Sequence, residues 1–237
     1  FLGRVPYKGH FSRKDAAAEA VRLERRGLDV FIGGVSAYNT PLPFADPLAH
    51  TQLELPPGQL AELIIHELAH GTVFFKDRID FDEALASFVG EAGAAAFLDS
   101  RFGPDSAEHA AFRESMAREQ RYASEMGRLH AELDSLYKAG LPRDEVLAKR
   151  VPILASGREK LGAALGYDPG ELNNASIMAQ RLYRLDLDLF REAHERLGRK
   201  WERTVAFFRS LDRRGPGEDL RARLEKMRAV PRPGAVP

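Results

Sequence analysis

Apolar positions along most of this chain recur at helical spacing. After Ser12-Arg13-Lys14-Asp15, the residues Ala16, Ala20, Val21 and Leu23 line one face, which predicts a helix capped by Ser12 and closed at Gly27. From Pro57, the residues Leu60, Leu63, Ile64, Leu68 and Ala69 form a stripe that carries a helix to about Phe75. A polar turn leads to a second helix, about Phe81 to Arg101, whose Ala84, Ala86, Gly90, Gly93 and Ala94 let it approach a neighbour closely. Residues 105–139 predict a long charged amphipathic helix. Pro142 starts another, which Pro152 is expected to kink or break. Leu172-Asn173-Asn174-Ala175 reads as a loop and N-cap opening a helix through Leu197, and a further helix runs from Arg199 to Leu211.

Two stretches depart from this period. Val5 to Phe11 reads as a short strand, and Leu28 to Tyr38 is β-rich, with Gly33-Gly34 marking a bulge or turn. The prolines between Thr40 and Pro47 exclude regular helix and lead to a possible strand over His50 to Leu55. The expected fold class is therefore α+β and predominantly helical, with a short sheet packed on the helix of residues 57–75. Three parts follow: a core over 1–103, a helical part over 104–213, and a loose Pro/Gly-containing tail over 214–237.

Composition narrows the function. A chain of 237 residues can bury a substantial core, and it has no apolar run near the roughly 20 residues of a membrane span. Its 35 basic and 35 acidic residues balance, so no field points to nucleic acid. With no cysteine there are no disulfides, thiolate nucleophiles or Cys-type zinc sites, and any metal must be held by His, Asp or Glu.

The chemistry concentrates in Ile65-His66-Glu67-Leu68-Ala69-His70. Two His four apart on a helix project from one face and can bind one ion, while Glu67 on the flank of that face acts as base toward a metal-activated water. One Zn2+ ion is expected, with peptide hydrolysis as the reaction. A catalytic zinc needs a third protein ligand, for which Glu83 and Glu91 compete. On an antiparallel second helix Glu83 is level with the His pair, whereas Glu91 lies roughly 12 Å further on, so Glu83 is preferred. Asp82 and Asp80 either cap that helix or orient a ligand His. An oxyanion donor is also required; Tyr183 is the first choice and His194 the weaker one. Gly33, Gly34, Val35, Ser36, Ala37 and Tyr38 offer an edge along which an extended peptide substrate can pair. For a substrate ammonium group Glu91, Glu54 and Asp46 are the candidate carboxylates.

His66 to His70, followed by Phe81-Asp82-Glu83-Ala84-Leu85-Ala86, resembles the gluzincin peptidases. More narrowly, the chain resembles the bacterial predicted aminopeptidase family in Tyr7 to Phe11, Gly33 to Thr40, Asp46-Pro47-Leu48, the His-Glu motif, and Asn173-Asn174-Ala175 with Tyr183. The resemblance covers most of the chain to about residue 210. It implies His66, His70 and Glu83 as zinc ligands, Glu67 as acid/base, and peptide hydrolysis at the amino end. It departs at Asp82, where the family tends to have Asn, and at Pro152 in a stretch that is usually uninterrupted helix. A zinc endopeptidase and a non-catalytic helical binding protein with a structural zinc are the alternatives. The resemblance also implies a cell-envelope or periplasmic location, in some members with a lipid anchor, which suits a chain opening on Phe1; the cytoplasm is the alternative.

Overall fold

All regular structure among the described residues of this computed structural model, which are 8–34, 50–181 and 187–229, is α-helical. The elements are α1 (Arg13–Glu24), α2 (His50–Leu53), α3 (Pro57–Thr72), α4 (Ile79–Phe102), α5 (Ala107–Tyr137), α6 (Arg143–Leu165), α7 (Asn174–Arg181), α8 (Leu187–Arg196), α9 (Trp201–Arg209) and α10 (Pro216–Ala229).

The expected α+β class is therefore corrected, since no strand occurs among the described residues. Residues 28–34 are irregular, and His50–Leu53 is a single helical turn, followed by a Leu55 N–H bond to Gln52 O at 3.1 Å. Residues 8–11 are also irregular, and Val35 to Tyr38 lie outside the described residues. β-rich composition reports how well side chains suit a paired, half-buried surface. Leu28, Phe31 and Ile32 are instead exposed and have no partner strand there.

The chain divides into two compact units. Among the described residues, the first comprises 50–108 and 187–229, and the second 8–34 and 109–181.

In the first unit α3 and α4 run side by side in opposite directions. Glu83 lies at His66 and His70, while Gly90, further along α4, lies at Glu62 and His66. The core below gathers Phe75, Leu85, Phe88, Phe190, Phe208, Leu220 and Leu224. Its rings meet mainly edge to face, as at Phe75–Phe81 and Phe190–Phe208, an arrangement worth about 0.5–1.5 kcal/mol per pair beyond area burial. Residues 216–229, expected to belong to a loose tail, form α10 instead. Pro216 sits at its first position, where a missing N–H costs nothing, and Leu220 and Leu224, one turn apart, are fully buried.

In the second unit Tyr122, Met126, Leu129 and Leu133 form the inner stripe of α5 and pack with Leu161 and Ile177. A Cβ at Gly157 of α6 would come within 2.7 Å of Leu129, so only glycine permits this approach. α6 runs unbroken through Pro152, which is exposed; the carbonyl it leaves unbonded belongs to exposed Ala148, where water can serve it. Asn173 caps α7 as expected, through its Oδ1 to Ser176 N–H at 2.9 Å, with Ser176 Oγ returning to Asn173 N–H at 3.0 Å. Its Nδ2 also donates to Val30 O at 2.8 Å, and Arg150 donates to both carboxylate oxygens of Asp29.

Candidate metal centre

On α3, Ala69 is buried and Leu68 is left in solvent, while the His66–His70 side of the helix meets α4. Two glycines make that meeting close. A Cβ at Gly90 would stand 3.0 Å from Glu62 O and 3.2 Å from His66 Cβ; one at Gly93 would stand 2.9 Å from Ile65 Cγ2. The loop between the helices turns at Asp77, a non-glycine residue in left-handed geometry (φ 62°) that Asp tolerates better than most.

The crossing brings three donors together. His66 Nε2 and His70 Nε2 are 3.2 Å apart, and Glu83 Oε2 is 3.4 Å from the first and 3.6 Å from the second. A tetrahedral ion bonded to N and O ligands at about 2.0–2.1 Å spaces its ligands by roughly 3.3 Å. The three observed edges match that spacing without rearrangement, so the residues present fit a zinc ion. Among the described residues, this is the one group of three or more His, Asp or Glu close enough to hold a metal. All three side chains are mostly buried.

The charges suit a cation. Burial raises the Glu83 carboxyl, but hydrogen bonding to His66 and His70 reverses this and holds it at about 2, so it is ionised over the working range. Burial pushes the His70 imidazole down; the Glu83 carboxylate outweighs it, Glu67 and Asp82 add to the effect, and the pKa is raised. Glu67 is thus within electrostatic reach of the donors, on the helix that carries both His.

Asp82 takes neither role expected of it. Its two carboxylate oxygens accept the Phe75 N–H at 2.9 and 3.2 Å, pinning the α3–α4 loop to the start of α4. Burial lifts its pKa to about 7, against the lowering effects of the Phe75 N–H, His70 and Arg213. Glu91 accepts Arg191 Nη2 at 2.6 Å, so the two candidate carboxylates of α4 are divided, Glu83 to the His pair and Glu91 to α8. His194 is committed to packing: its Nδ1 is 2.8 Å from Thr204 Oγ1 and its ring lies 4.4 Å from that of Trp201. Sequence reasoning missed both the loop contact of Asp82 and the claim of Arg191 on Glu91. The first partner is a backbone group and the second lies 100 positions away, so neither leaves a local signal.

Gly33 and Gly34 are exposed in the irregular segment of the second unit, whereas Val35, Ser36, Ala37, Tyr38, Asp46 and Tyr183 lie outside the described residues. Glu54 is exposed in the turn after α2.

A family model described as putative aminopeptidase matches residues 1–223. The chain belongs to that family. The match takes in α3, α4, all three donors and the first half of α10. No curated protein and no solved structure matches the chain.

Proposed function

We propose that the chain is a zinc-dependent peptidase, acting as an aminopeptidase. The observation that carries the reading is the trio of His66 Nε2, His70 Nε2 and Glu83 Oε2 at zinc-like spacing, with a further carboxylate, Glu67, beside it. Two imidazoles and one carboxylate are a donor set of the kind catalytic zinc uses. When bound there, the ion supplies a Lewis acid and lowers the pKa of water to about 7.

The chain's own residues supply the rest. His66 and His70 would hold the ion through Nε2, and Glu83 would contribute the negative charge. Glu67 accepts the proton of the attacking water and delivers it to the leaving amine, a role that asks for a carboxylate adjacent to the donors without being one of them. Tyr183 is assigned the oxyanion, since a phenol donates a hydrogen bond without bringing charge. The pairing edge expected over Gly33 to Tyr38 is not carried forward, since Gly33 and Gly34 lie in an irregular segment. Glu91 is engaged by Arg191 and is given no substrate role. The family description supports attack at the amino end; the metal trio supports hydrolysis.

The test is a panel of short peptides with free or acetylated amino ends. The zinc-loaded chain is expected to release the first residue from free peptides alone. Glu67→Gln should still bind one zinc and lose about 10²–10⁴-fold in rate. Internal cleavage of acetylated peptides would make it an endopeptidase, and zinc binding without hydrolysis across the panel would make it a binding protein.

A further inference from the structure

The loop from Val73 to Arg78 is the short covalent link between His70 and Glu83, and three arginines tie it down. Arg209 Nε donates to Thr72 O at 3.0 Å, and Arg213 Nη1 donates to Phe74 O at 2.8 Å. In return, Arg78 of the loop donates to Arg214 O. The Arg213 guanidinium also lies over the Phe75 ring, 5.6 Å from its centre, and Phe75 N–H is the group that Asp82 accepts. The turn that presents these arginines is fixed in its own right. Arg223 of α10 donates to Ser210 O at 2.7 Å and to Ser210 Oγ at 2.8 Å, and Asp212 N–H donates to Asp219 Oδ2 at 2.9 Å.

The last carbonyls of a helix have no partner within it, and a cation at that end complements the helix dipole. Arg209 answers such a carbonyl two residues beyond the ligand His70. Arg213 answers one in the loop, next to the residue that Asp82 fastens to the first turn of α4. Because Asp82 fastens α4 to this loop, a slide of α4 along α3 would break the Asp82–Phe75 bonds or pull the loop against the Arg209 and Arg213 contacts, and it would carry Glu83 away from the His pair.

We propose that Arg209 and Arg213 are positioning residues of the metal centre, which hold the end of α3 and its loop so that Glu83 meets His66 and His70. The inference rests on the metal reading above. A purely architectural role, fastening α9 and α10 to the core, predicts the same bonds but no effect on the ion.

The test uses the full chain, as wild type, as the double variant Arg209→Gln/Arg213→Gln, and as Arg209→Lys/Arg213→Lys. Three quantities are measured: the zinc dissociation constant by competition with a chromophoric chelator, the visible absorption of the Co2+-substituted protein, and far-ultraviolet helix content without metal. The Gln pair is expected to bind zinc about tenfold more weakly, the lower end of what outer-shell partners contribute, with an altered cobalt band and unchanged helix content. The Lys pair keeps a cation and one donor at each position, and should recover most but not all of the affinity. Equal zinc affinity and an unaltered cobalt band in the Gln pair overturn the proposal. Should the Gln pair fail to fold, the Lys pair decides: affinity below wild type supports the proposal and equality overturns it. A wild type that binds no zinc overturns the metal reading itself, and this inference with it.

Discussion

On the proposed zinc reading, a proton and the ion would compete for His70 Nε2. The neighbouring Glu83 carboxylate, which makes the position attractive to zinc, also raises the imidazole pKa above the ordinary 6.5 despite burial. Below that raised pKa each unit of pH should cost about tenfold in apparent zinc affinity, since the proton must leave before the ion binds. The Glu83 carboxyl, held at about 2, adds no competition until far lower pH. A zinc titration from pH 8 to 5.5 is therefore expected to weaken with an onset above pH 6.5. An onset well below that value would contradict the account.

The site residues were legible to different degrees for a physical reason. His66, Glu67 and His70 follow from helical spacing alone, and Glu83 from the next helix returning beside the first. Asp82 was not legible, because its partner is the Phe75 N–H in a loop whose course no side-chain pattern records.

At the scale of elements, the α3–α4 crossing makes the centre, and Gly90 sets its closeness. A Cβ there meets Glu62 O, a backbone atom that cannot move independently, whereas one at Gly93 meets only the Ile65 side chain. Gly90→Val is expected to lower stability by roughly 1–3 kcal/mol and to weaken zinc binding, because the added methyls push on the turn that bears His66. Gly93→Ala should be the milder change on both counts. Thermal melts and zinc titrations of the two variants check this, and equal effects would show that Gly90 has no special part. Helices with a strong period, such as α3, α4 and α5, were readable. The segment at residues 28–34 was misread because its apolar residues suit a strand that has nothing to pair with among the described residues. α10 escapes a pattern reading because the Pro/Gly-containing segment expected to be a loose tail starts a helix at Pro216, whose two leucines reach the core.

At the scale of the whole molecule, neither unit is continuous in sequence. Residues 8–34 group with 109–181 through contacts such as Asp29–Arg150, 121 positions apart, which no local pattern could disclose. In the first unit, α10 closes the core from the far end of the chain. Burying Leu220 and Leu224 contributes about 1.5–3 kcal/mol each, a large share of the roughly 5–15 kcal/mol that keeps a typical domain folded. A chain ending at residue 215 is expected to melt well below the full chain or to lose a cooperative transition. An unchanged melting temperature would mean that α10 is dispensable.

Whether His66, His70 and Glu83 together hold one zinc ion is read most directly from zinc content per chain after equilibrium dialysis. One ion is expected in the wild type and none in Glu83→Ala, with the variant still helical. A wild type without zinc, or a Glu83→Ala chain that keeps its full ion, would contradict the zinc reading.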